Sequence, residues 1–183
     1  MDVQVVDVSQ RMQAYLQVNR QGKLHPAQWR ELVTEPVVML MLVMVPVIIL
    51  LRSLLVTLFI GGLWLVGLAV IAVFVFVLAR RARRYARIPI YSATMTAEEN
   101  QHSMLKFWKR YHFKDEDGAS VYFRKNLMPE GRQIRSRVTY LVYYMQENDQ
   151  KVLLSCAPLD HPRISYWKPT PDFVNRQRQR KTS

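Results

Sequence analysis

From Pro36 to Ala79 the chain runs for 44 residues with a single charged side chain, Arg52, and then turns abruptly to Arg80-Arg81-Ala82-Arg83-Arg84-Tyr85-Ala86-Arg87. Nothing else in the sequence constrains the fold as strongly. A helix needs about 20 apolar residues to cross a bilayer core. The stretch therefore reads as two spans joined by a tight turn at Arg52-Ser53 and closed by a basic stop.

Thr34-Glu35-Pro36 is a good helix start: Thr34 can cap, an acid lies in the first turn, and Pro36 loses no bond at that position. The first helix is expected to run to Leu51, kinked at Pro46, where the carbonyl of Leu42 loses its partner. The second is expected from Leu54 to Ala79. The arginines that follow it, set against the lone Arg52, place both termini on the cytoplasmic side by the positive-inside rule, in a plasma or inner membrane. A hairpin that enters only partway is the competing reading. Trp29, Arg30, Arg52, Arg80, Arg81, Arg83, Arg84 and Arg87 are the expected interface anchors, with Arg52 reaching the opposite headgroups.

The predicted spans hold no Asp, Glu, Lys or His. Intramembrane ionisable groups mark proton relays and ion paths, so their absence weighs against a pump. All four histidines (25, 102, 112 and 161) lie outside the apolar stretch, which removes the usual axial ligand for a haem in it. Ser53, Thr57 and Gly61 recur every four residues, with Gly62 and Gly67 nearby. Small residues at that spacing let helices approach closely, either a partner's helix or the other arm of the same hairpin.

The net charge of +12 is unevenly distributed. Residues 1–35 are neutral, and residues 80–183 carry 21 basic against 10 acidic side chains. One cysteine, Cys156, rules out an internal disulfide and a cysteine-based zinc cluster. No cleavable signal is expected, because polar residues precede the first apolar segment.

Along the chain five parts are expected: a juxtamembrane helical segment (1–35), the transmembrane hairpin (36–79), a basic linker (80–95), a helix with a small antiparallel sheet (96–168) and a basic tail (169–183). In the first part Val8, Met12, Tyr15 and Leu16 share a helix face, Gly22 ends that helix, and Pro26 opens a second. In the fourth, Thr96-Ala97-Glu98-Glu99 reads as a capping box, which predicts a helix ending near His112. Strands are expected at 119–126, 134–146, 151–157 and around 163–167, bent into a half-barrel, with 147–150 as a hairpin turn. Four prolines after residue 157 point to an extended tail, whose Arg176, Arg178, Arg180 and Lys181 would meet an acidic partner.

The fold class expected from sequence is thus an α+β membrane protein, a two-helix transmembrane hairpin followed by a β-rich domain. Ser155, Cys156, Asp160 and His161 lie close in sequence, but a nucleophilic site requires a three-dimensional constellation. Ser155 and Cys156 would point to opposite faces of a strand. Asp115-Glu116-Asp117-Gly118 lacks the further ligands of a calcium loop. No enzyme, cofactor or metal is expected. The functional expectation is a non-catalytic accessory subunit that anchors a small domain beside other membrane-protein subunits, with anionic lipid headgroups as further partners. A self-associating hairpin, either channel or bilayer scaffold, is one alternative. A tethered module that binds anionic lipid or nucleic acid through interleaved aromatic and basic residues is the other.

Overall fold

In this computed structural model the described residues are 8–34, 38, 39, 42, 64–98, 111–129, 134–147 and 150–182. They fall into two compact units: residues up to Gln28 together with those from Ile88 onward, and the segment Trp29–Arg87 inserted between them.

The first unit is built on a closed barrel of five strands, β1 (Ile90–Ala97), β2 (Tyr111–Asp115), β3 (Ser120–Asn126), β4 (Thr139–Glu147) and β5 (Gln150–Pro158), in the order β1-β2-β3-β5-β4. β1 pairs antiparallel with β2 on one edge and with β4 on the other, which closes the sheet. β5 lies antiparallel to β4 and parallel to β3. Aromatic and β-branched residues dominate β4, as a pleated surface buried on both faces requires. The interior is an aromatic ladder in which Phe113 meets Phe123 and Tyr140 edge-on and Phe123 meets Tyr144. Met95, Phe113 and Phe123 are all essentially inaccessible to water.

Both ends of the described chain wrap the outside of this barrel. Ser9 caps α1 (Gln10–Asn19) through the Met12 amide, and α1 buries Met12 and Leu16 while packing on β5. The chain then turns through Gly22, at φ +74, into α2 (Pro26–Trp29). At the other end, α4 (Ile164–Trp167) and α5 (Pro171–Thr182) bring Trp167 and Phe173 into buried positions. The Tyr143 hydroxyl donates to the Trp167 carbonyl at 2.5 Å, and its ring lies against Phe173. The C-terminal segment also grips the turn after α1. Thr170 N–H and the Arg176 guanidinium donate to the carbonyls of Arg20 and Gln21 at 3.1 and 2.9 Å, and Arg20 reaches the Tyr166 carbonyl.

A buried polar node locks α1 and α2 to β5. The Asn19 carboxamide donates to Lys23 O (2.9 Å) and Gln28 Oε1 (3.0 Å), and its oxygen accepts from the Ser155 hydroxyl (2.8 Å) and Gln28 Nε2 (3.4 Å). Gln28 Nε2 also donates to Leu154 O at 2.7 Å, while Gln28 Oε1 accepts from the His25 amide at 3.0 Å. Asn19, Gln28 and Ser155 are fully buried. Every hydrogen-bonding capacity of both carboxamides is used, which is the condition under which a buried polar cluster stabilises rather than costs.

The structure corrects the expected fold class. The sheet is a closed barrel rather than a half-barrel. The predicted helix after Thr96 does not begin there: β1 runs through Thr96, whose hydroxyl pairs with that of Thr139 at 3.2 Å instead of capping a helix. Residues 111–115 are strand rather than helix end and turn, because Tyr111 and Phe113 are taken into the barrel. Part of the expected basic linker, from Ile90 onward, is the first strand. The stretch near 163–167 is helical, and the tail is a helix rather than extended.

The transmembrane hairpin is also overturned. Among the described residues no helix is long and apolar enough to cross a membrane. Of the second expected span, the described residues form α3 (Trp64–Arg87), which runs on through the arginines instead of ending at Ala79. The expected first span and turn fall almost wholly outside the described residues.

Two substitutions test this account. A Cβ at Gly22 would sit 2.6 Å from Phe173 Cδ2 and would also face a left-handed backbone. Gly22→Ala is therefore expected to lower stability by about 1–3 kcal/mol, read as a shift of the urea midpoint. Asn19→Ala strands Gln28 and Ser155 without their partner and is expected to cost about 1–3 kcal/mol. An unchanged midpoint for Asn19→Ala would remove the polar node as a stabilising element.

Candidate lipid-docking surface

Helix α3 is made by a sequence of strong hydrophobic character that passes without interruption into arginine, a good helix former favoured in the last turns, where cations meet the negative helix end. Four residues at helical spacing, Phe74, Leu78, Arg81 and Tyr85, form its partly to fully buried stripe. α3 packs on the π-helical turn Arg30–Thr34, which buries Leu32 and Val33. Arg81 fastens the contact: its Nε donates to Leu32 O at 2.9 Å and its guanidinium lies 5.5 Å from the centre of the Tyr85 ring.

From Ile71 onward most of the other side chains of α3 are exposed. Ile71, Val73, Val75, Phe76 and Val77 are exposed, Phe76 by 65%. Val38, Met39 and Leu42 of the same unit are exposed as well. Scattered apolar residues on a surface need no explanation, but a contiguous apolar patch marks an interaction site. Arg80, Arg83, Arg84 and Arg87 adjoin it and are exposed too.

The remaining expected site residues are placed as follows. Ser53, Thr57, Gly61, Gly62 and Arg52 lie outside the described residues, and Gly67 falls within α3. Trp29 is half-buried at the end of α2, beside the exposed Arg30. Arg176 is exposed on α5 and donates to Gln21 O and Asp172 O. Arg178, Arg180 and Lys181 lie on α5. The sequence did not reveal the Asn19–Gln28–Ser155 node, because its members stand far apart in the chain and are all common surface residue types.

The residues that invited a nucleophile have structural partners instead. The Ser155 hydroxyl is spent on Asn19, and the buried Cys156 thiol lies 3.4 Å from Met128 Sδ. His161 Nδ1 accepts from the Arg163 amide while its ring tilts onto Trp167. Asp160 is exposed. Among the described residues no group of His, Cys, Asp and Glu could hold a metal ion. In the acidic turn the Asp115 carboxylate accepts from the Glu116 amide, and Gly118, at φ +77, closes the hairpin. On the outer β2–β3 face Tyr122 is exposed, with His112 edge-on to it, and Lys114 beside them is matched by Glu98 at 3.0 Å.

Comparison with protein-family models, with curated proteins and with solved structures finds no match. The two-pass accessory subunit expected from sequence, with its plasma- or inner-membrane localisation and cytoplasmic termini, required spans that no described helix supplies. The same finding removes the self-associating hairpin and the span-tethered module. The positive-inside rule orients a segment that crosses, so the expected sidedness rested on the same spans.

Burial also sets the acid–base behaviour of the barrel. Desolvation raises the Tyr143 phenol well above its ordinary value of 10.0, and raises Tyr111 and Tyr144 as well. A tyrosine whose folded pKa is raised stays protonated when the unfolded chain has begun to ionise, so its contribution is complete below pH 10 and is lost above it. Stability to urea is accordingly expected to fall as pH rises past about 10, and Tyr143→Phe is expected to flatten that fall. A fall equally steep in Tyr143→Phe would exclude Tyr143 as its source.

Proposed function

We propose that this protein is a non-enzymatic docking module that holds its barrel domain at an anionic lipid surface through α3. The observation that carries the reading is the set of exposed apolar side chains Ile71, Val73, Val75, Phe76 and Val77, followed on the same helix by exposed arginines from Arg80 onward. Acyl chains accommodate the first and phosphates the second. Apolar area removed from water is worth roughly 25 cal/mol per Å², and each basic residue near an anionic leaflet adds about 1 kcal/mol. Together they support affinity that neither supplies alone. Tight partners for Ser155, Cys156 and His161 support the non-enzymatic part.

The nucleic-acid reading draws on Tyr122 and His112, since an exposed ring can stack on a base. Five-stranded Greek-key barrels include oligonucleotide binders, but a fold alone assigns no function. Lys114, two residues from His112 on β2, already faces Glu98. The lipid reading is favoured because its cations and apolar residues are contiguous on one helix.

Flotation of the full chain with vesicles tests it. The protein is expected to float with phosphatidylcholine vesicles containing phosphatidylglycerol, and much less with phosphatidylcholine alone. Rising salt is expected to weaken the anionic component. Failure to float with either vesicle, or a stable dimer that covers α3 and excludes vesicles, would overturn the reading.

A further inference from the structure

The arginines of α3 are not equivalent. Helical spacing puts Val73, Phe76, Arg80, Arg83 and Arg87 on one stripe, at steps of three and four residues, and every one of them is exposed. Arg81 stands instead on the stripe of Phe74, Leu78 and Tyr85, where it bonds Leu32 O and lies over the Tyr85 ring. The exposed stripe changes from hydrocarbon to guanidinium between Phe76 and Arg80, within about one helical turn. That is the order of surfaces met on passing from acyl chains to headgroup phosphates. Guanidinium groups suit phosphate oxygens because their paired N–H donors match them.

Resting on the docking function above, we infer a division of roles within the arginine cluster. Arg80, Arg83 and Arg87 contact the phosphates of anionic lipid headgroups, with Val73 and Phe76 seated among the acyl chains beside them. Arg81 is a positioning residue that pins α3 to the Arg30–Thr34 turn and makes no headgroup contact. The ligand is a headgroup in a lipid layer rather than free phosphate, because a soluble anion offers nothing to Val73 and Phe76.

The test uses the full chain and vesicles of phosphatidylcholine with phosphatidylglycerol. Replacing Arg80, Arg83 and Arg87 together by Gln is expected to weaken binding about 100-fold, from roughly fivefold per arginine, and to reduce the salt dependence. Arg81→Gln is expected to leave affinity within about twofold while speeding amide exchange over residues 30–34, where the pin is lost. Inorganic phosphate at millimolar concentration is expected not to compete. Equal losses for Arg81→Gln and the triple variant, no loss in the triple variant, or competition by inorganic phosphate would each overturn the division of roles while leaving lipid docking in place. Absence of binding by the unsubstituted chain would remove the docking function itself and this inference with it.

Discussion

The barrel depends on one strand that is shared between two edges. β1 is hydrogen-bonded to β2 along one side and to β4 along the other, so the sheet has no end. An open edge would leave a row of unpaired amides and carbonyls, a template for pairing with other chains. Closure also fixes what the interior must hold. Phe113, Phe123, Tyr140 and Tyr144 fill it as an interlocking set of rings, at separations where edge-to-face packing is favourable. With the strands fixed, the outside faces of β4 and β5 remain apolar in part, and both ends of the described chain are recruited to cover them.

That covering is specific because it is polar as well as apolar. Leu16 and Phe173 could slide on a barrel surface, but the Asn19–Gln28–Ser155 node admits a single register. The Gly22 turn accepts Phe173 only because no Cβ stands in its way. One of the node's members is also the residue after which the chain leaves the first unit, since Gln28 ends that part and Trp29 begins the inserted segment. The point of departure toward α3 is thus among the most firmly bonded positions in the barrel unit.

The proposed function follows from a contrast between the two units. In the barrel unit nucleophilic and titratable groups are absorbed by structure: Ser155, Cys156, His161 and Tyr143 each serve packing or hydrogen bonding. In the inserted segment the surface is unsatisfied, with apolar side chains facing outward beside cations. Within α3 the arginines divide by stripe, and the stripe is a property of helical geometry rather than of composition.

Local signals in the sequence determined a good deal. The Ser9-to-Asn19 helix, its end at Gly22, the start at Pro26 and the β4–β5 hairpin all follow from short-range rules, because caps, prolines and alternating apolar residues act within a few positions. A helix up to Ala79 was legible too, though neither its continuation to Arg87 nor its meaning: a stretch of apolar residues specifies exclusion from water and leaves open whether bilayer, protein or lipid surface provides it. Tertiary structure alone decided the rest. Thr96-Ala97-Glu98-Glu99 has the pattern of a helix cap, yet β4 claims Thr96 through a long-range pairing that no local window contains. The parallel placement of β5 beside β3, the closure of the barrel and the convergence of Asn19 with Ser155 likewise join residues far apart in sequence. Their energies arise only once the chain has folded back on itself.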